Sequence, residues 1–139
     1  MHSLNTIKQQ NKSNAKKLID LTIKNGGVSF NNELEAINYE NGFAVGTWDI
    51  LKTTNLEALE KELNRIMNGE GTNLYRNSKL NTKNGLFYGL WIDENKVAHL
   101  DECVLIGEYY QAVQYGKDKD QKAIYDFKNG IEINLKGGN

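Results

Sequence analysis

Between Tyr88 and Glu102 the chain reads Tyr-Gly-Leu-Trp-Ile-Asp-Glu-Asn-Lys-Val-Ala-His-Leu-Asp-Glu: two aromatics, four carboxylates and a histidine in fifteen residues. These side chains can hold metal ions or pass protons, so each chemistry is weighed against its spacing. An EF-hand calcium loop needs oxygen donors at alternate positions, a glycine at the sixth and a bidentate glutamate at the twelfth. The alternate series Asp93, Asn95, Val97, His99, Asp101 places an apolar residue among the donors and has no glycine where the loop should curl. Zinc is a poorer fit, because the chain has one cysteine and two histidines and His2 sits at the terminus.

A nucleophile would have to be Cys103 with His99 as its base. Four residues apart on a strand, these side chains stand about 13 Å apart, too far for a dyad. Cys103 reads instead as a small buried apolar residue, with loop contact left open if it falls beyond the strand. The adjacent acids Asp93-Glu94 and Asp101-Glu102 have acid–base capacity, but acids at turns and strand ends are ordinarily solvated. Gly107 and Gly116-Lys117 lack the spacing of a phosphate-binding loop. The residues therefore predict a protein that is not an enzyme, with no catalytic residue, metal or cofactor.

The elements that must carry this stretch follow from periodicity. Residues 3–24 read as a helix with Ala15, Leu18, Ile19 and Ile23 on one face and Gly26-Gly27 as its stop, fraying over residues 1–12. Val28–Phe30 and Phe43–Trp48, the latter introduced by the Asn41-Gly42 turn, read as two antiparallel strands, with Trp48 expected in the core. Thr54-Asn-Leu-Glu57 matches a capping box before the stripe Leu56, Leu59, Leu63, Ile66, which Gly69 ends. Residues 70–85 form a long, exposed polar loop.

Leu86–Ile92 and Lys96–Leu100 flank the turn Asp93-Glu94-Asn95 as a hairpin. Glu108–Gly116 is a third helix with Tyr109, Ala112, Val113 and Gly116 on one face, and Tyr110 is exposed. A last hairpin, Ala123–Phe127 with Ile131–Leu135, turns at Lys128-Asn129-Gly130 and pairs Phe127 with Ile131 and Tyr125 with Ile133. The order α-ββ-α-ββ-α-ββ predicts a single α+β domain spanning residues 1–139. Its antiparallel sheet is built of hairpins, with about three helices packed on one face.

Composition bounds the partners. The chain has 139 residues, 39% apolar and 25% charged, with a net charge of −1, so no global field recruits nucleic acid or an anionic membrane. One cysteine, no spanning apolar window and no signal-peptide core point to the cytoplasm of a bacterial host. Charge is uneven, however. Residues 1–31 carry five lysines against one acid, and residues 32–68 carry seven acids against three bases. Lys8, Lys12 and Lys16 fall on one helical stripe, and Tyr75, Arg76, Lys79 and Lys83 set an aromatic among bases in the long loop. These seven residues are the expected partner-binding set; a merely solvated helix face is the competing reading.

The series Gly26-Gly-Val-Ser-Phe30, Gly42-Phe-Ala-Val45, Tyr88–Asp93, Val97, Asp101, Gln121–Asp126 and Glu132-Ile133 resembles a group of small proteins of phages and mobile elements. The resemblance covers residues 26–48 and 86–135, and this chain departs from it in the 70–85 loop and the basic first helix. It implies a non-catalytic inhibitor of host defence, of the anti-CRISPR type. The expected partner is a host nuclease or Cas effector complex, held by protein–protein contact. A small nucleic-acid-associated or regulatory module using the lysine stripe is the alternative. Oligomeric state is not read from the sequence.

Overall fold

The computed structural model describes residues 13–70 and 80–136. The first half of the predicted opening helix and most of the long loop lie outside the described residues. Ser13 caps helix α1 (Asn14–Asn25), its hydroxyl accepting the Lys16 amide at 3.1 Å, and Gly26 closes it with φ of 86°. The buried face is Ala15, Leu18, Ile19 and Thr22, whereas Ile23 is exposed. At about 100° per residue, position 22 lies nearly above Ala15 and position 23 lies a quarter-turn away. Burial of Thr22 is tolerated because its hydroxyl donates to the Leu18 carbonyl at 2.7 Å.

The remaining elements follow the predicted order: β1 (Gly27–Phe30), β2 (Phe43–Thr53), α2 (Leu56–Met67), β3 (Leu86–Ile92), β4 (Ala98–Ile106), α3 (Tyr109–Asp118), β5 (Ala123–Asp126) and β6 (Ile131–Asn134). They build one α+β domain around a six-stranded antiparallel sheet in the order β1-β3-β4-β2-β5-β6. The predicted β3–β4 hairpin is present, with Trp91 opposite His99 and Leu90 opposite Leu100. The first two strands do not pair with one another. β1 pairs with β3 and β2 with β4, so the hairpin expected from Asn41-Gly42 is opened by two intervening strands.

Three local expectations change. The cap of α2 is Asn55, whose side-chain oxygen accepts the Glu57 and Ala58 amides, so Thr54 lies one residue too early. Leu56, the first helical residue, is 47% exposed while Leu59, Leu63 and Ile66 are buried. The final hairpin has Asp126 opposite Ile131 and Tyr125 opposite Glu132, one residue from the expected register. The shift has a cause: Phe127 leaves the strand, donates its amide to Gly42 and packs with Phe87 and Tyr39. Asp126 then closes the wider turn by accepting from Asn129.

The helices cover one face of the sheet. Leu18, Leu59, Leu63, Phe30, Tyr88, Leu90 and Leu100 form the main core there, and α3 seals a second part through Ala112, Val45 and Ile124. Among the described residues the opposite face is covered over part of its area, where the 31–42 connection lays Ile37 and Tyr39 on Phe87, Cys103 and Phe127. That connection is pinned at Asn32, whose buried amide donates to the Leu80 carbonyl at 2.7 Å and accepts the Leu80 amide at 2.9 Å. Leu80 is buried too, so this end of the predicted exposed loop belongs to the core. Removing both bonds strands two buried backbone groups, so Asn32→Ala should cost about 2–3 kcal/mol in a urea melt. The exposed neighbour Glu33→Ala should stay within about 0.5 kcal/mol.

Candidate functional site

Strand β4 is paired on both sides, and its alternation sends Ala98, Leu100 and Glu102 to the helices and His99, Asp101 and Cys103 to the opposite face. On β2 the same alternation is broken twice. The pairing slips between Gly46 and Trp48 and again between Asp49 and Leu51, leaving Thr47 and Ile50 as extra residues. Such bulges re-aim the side chains that follow them. The first puts Asp49, instead of Trp48, opposite Asp101; the second puts Lys52 opposite His99. Trp48 is thereby sent to the helix side at the end of the core, where it is 47% exposed rather than buried as expected.

The result is a polar and aromatic cluster on the uncovered part of the sheet. The Trp91 indole, 39% exposed, stacks on the His99 imidazole with centroids 3.9 Å apart and planes 8° apart. Its Nε1–H donates to Asp101 Oδ2 at 3.3 Å. His99 Nε2 lies 2.9 Å from Asp93 Oδ2, and Asp93 Oδ1 accepts the amides of Asn95 and Val97. Asp93 is therefore the acceptor that holds the turn together, and its His99 contact holds its carboxyl below the usual range. Glu94 beside it is exposed.

Asp101 is different. Burial pushes it up first, and the hydrogen bond with Asp49 and that neighbour's charge push it further, to about 7, against the pull of the Trp91 N–H and Lys52. Two carboxyls facing one another across a strand pair cannot both ionise cheaply, so a proton is shared between them. The reading of Asp101-Glu102 as solvated strand-end acids does not hold: Asp101 is partly buried in this pair, and Glu102 is buried on the helix side.

The helix side carries a cleft of about 310 Å³ lined by Thr47, Trp48, Leu86, Glu102, Val104, Tyr115 and Lys119. Lys119 lies over the Tyr115 ring at 5.6 Å, and the Thr47 hydroxyl donates to the Glu102 carbonyl. Cys103 is buried, and desolvation followed by the charges of Asp101 and Glu102 pushes its thiol well up, the reverse of what a nucleophile requires. Among the described residues, no group of three His, Cys, Asp or Glu side chains is placed to hold a metal. Among the same residues, no helix is long and apolar enough to cross a membrane.

Of the predicted partner-binding set, Lys8, Lys12, Tyr75, Arg76 and Lys79 lie outside the described residues. Lys16 is exposed on α1 and lines a groove with Asp20, Glu57 and Glu60, so acids surround this part of the stripe. Lys83 is exposed in a 3-10 turn, Thr82–Asn84, on a different element from Lys16.

Comparison with protein-family models, with characterised proteins and with solved structures yields no match to this chain. The site therefore has to be read from its own geometry. Sequence reasoning named Trp91, His99 and Asp101 within one stretch but missed Asp49 and Lys52. Nothing in Phe43–Thr53 signals where a bulge falls, because Gly46-Thr-Trp-Asp-Ile50 fits either alternation.

Two measurements check this arrangement. In the folded chain Asp101 keeps its proton to about pH 7, against an ordinary value of 3.8. The folded state then binds more protons than the unfolded one, so this group's stabilisation is present at acid pH and is lost as pH rises from about 4 to about 7. Asp101→Asn removes that loss. Its stability relative to wild type should therefore rise by on the order of 1–3 kcal/mol between about pH 4 and about pH 8. A difference that stays flat with pH would show that the pair shares no proton. Separately, Asp93→Ala should cost about 1–2 kcal/mol through the lost turn acceptor, and Glu94→Ala less than about 0.5 kcal/mol.

Proposed function

We propose that this chain is a non-catalytic binding protein that inhibits a bacterial defence nuclease, in the manner of an anti-CRISPR protein. It acts by protein–protein contact made through the open face of β3, β4 and β2. The observation that carries the reading is Trp91, an indole held by His99 and Asp101 yet 39% exposed where no described helix or connection covers the sheet. Tryptophan is the residue type most enriched among interface hot spots, and a ring whose rotamer is already fixed loses little freedom on binding.

Charge selects among partners. Near the indole stand Asp93 and the Asp49–Asp101 pair, which shares a proton, against Lys52, a balance that gives nucleic-acid phosphates no net attraction. A nuclease presents the complementary surface, because the groove that holds its own substrate is basic. The phage-type resemblance of the strand residues favours the same class of target. The nucleic-acid alternative rests on the lysine stripe, of which Lys16 sits among three acids.

The test is affinity capture on the immobilised chain from a bacterial lysate, untreated and nuclease-treated in parallel, followed by calorimetry with the recovered complex. A nucleic-acid-processing complex should be recovered, and Trp91→Ala should weaken its binding by at least about 2 kcal/mol, a hot-spot-sized loss. Recovery of nucleic acid alone, abolished by salt, would overturn the reading in favour of the alternative. Loss of binding in Tyr75→Ala/Arg76→Ala with none in Trp91→Ala would move the contact to the loop.

A further inference from the structure

We propose that the chain forms a symmetric dimer through β6: two copies pair antiparallel along this strand, centred on Ile133, so that one sheet runs through both. Among the described residues, β1 and β6 are the end strands of the sheet, and they are finished differently. The connection after β1 folds back along its outer side, where the Ile37 N–H donates to the Ser29 carbonyl at 2.8 Å and Phe30 bridges Ala36. No described segment does this for β6. There the Leu135 N–H donates inward to the Lys122 carbonyl at 2.8 Å, and hydrogen-bonding direction alternates along a strand. The backbone groups of Glu132 and Asn134 therefore point out of the sheet, a row that templates pairing with another strand.

The strand this edge fits is its own counterpart. Ile133 and Leu135 pack with Ile124 on the helix side of the sheet, and by alternation Ile131 shares that side, 53% exposed. Pairing centred on Ile133 sets Ile133 against itself and Ile131 against Leu135 of the second copy, so an apolar row meets an apolar row. On the other side of the sheet Glu132 meets Asn134. Moving the centre back to Glu132 would oppose like charges. Moving it forward to Asn134 would call on the Lys136 N–H, which the Asn134 side chain already takes at 3.0 Å. A two-fold contact of this kind closes on itself, and the folded-back connection on β1 leaves no second bare edge for further growth.

The experiment follows the full chain by sedimentation velocity up to a concentration of about 1 mM, because a contact this short belongs to the weak class. A monomer–dimer equilibrium is expected. Glu132→Pro removes an N–H that β5 does not use, and an edge strand tolerates proline at such a position. It should keep the melting temperature near wild type and raise the dimer dissociation constant at least about tenfold. Cross-linking then fixes the register. Under mild oxidation Ile133→Cys should give a disulfide-linked dimer, since facing residues of a non-hydrogen-bonded pair stand about 4.5 Å apart at Cα. Ile131→Cys should not, because its counterpart in the second copy lies about 13 Å along the strand. Should Glu132→Pro fail to fold, the two cysteine variants decide alone. A chain that stays monomeric throughout, a dimer undiminished by Glu132→Pro, species larger than a dimer, or Ile131→Cys linking as readily as Ile133→Cys would each overturn the proposal.

Discussion

Strand β4 is the constraint on which the other elements depend. It is hydrogen-bonded on both sides, so its backbone has no freedom to rotate, and every side chain it carries is committed to one face or the other. Ala98 and Leu100 enter the core with Leu59, Leu63 and Leu90. His99 and Asp101, one residue away from each, are thereby forced onto the opposite side. The core cannot be buried without presenting the imidazole and the carboxyl there. A one-residue slip would put Asp101 among the leucines and expose Leu100, so the register of the polar face is enforced by the energetics of the hydrophobic one.

The opposite face is divided between two kinds of cover. Toward Phe127 it is closed by aromatic packing, with Tyr39, Phe87 and Phe127 centroids at 5.3–6.0 Å and in tilted or edge geometry. Toward the Asp93 turn it is left to polar side chains that satisfy one another. Trp91 gives its N–H to Asp101, His99 meets Asp93, and Asp93 holds the turn amides. The rigidity of this half comes from hydrogen bonds that water can reach, and the acid pair at its centre is the group whose protonation is set by its neighbour across the strand. A face of this kind is held in shape by its own side chains.

Reading the chain residue by residue recovered much of this. The stops at Gly26 and Gly69, the Asp93 turn and the greater part of each helix's apolar stripe are local features, each set by contacts within a few residues, and the element order followed from them. Apart from the α2 cap, which moved one residue to Asn55, the deciding contact was distant where the reading failed. Ile23 lost its place to Thr22 because the sheet, not the helix, decides which way α1 faces. The last hairpin slipped because Phe127 found Phe87, a residue forty positions earlier in the chain, more profitable to pack against than its cross-strand neighbour.

The same division governs the site. By itself the sequence determined that Leu86–Ile92 and Lys96–Leu100 would pair as a hairpin about the Asp93 turn, a local consequence of turn residues between apolar runs, while the register that sets Trp91 opposite His99 and brings Asp101 beside them was left to the fold. Tertiary structure alone decided that Asp49 and Lys52 would join them and that Trp48 would not. That outcome depends on two extra residues in β2, Thr47 and Ile50, being squeezed out of the ladder. A bulge costs a local pairing and is repaid only when the strand's two ends satisfy different cores: Val45 against α3, and Leu51 against the α1–α2 layer. Those cores are assembled from segments far apart in the chain, and no window of the sequence contains both.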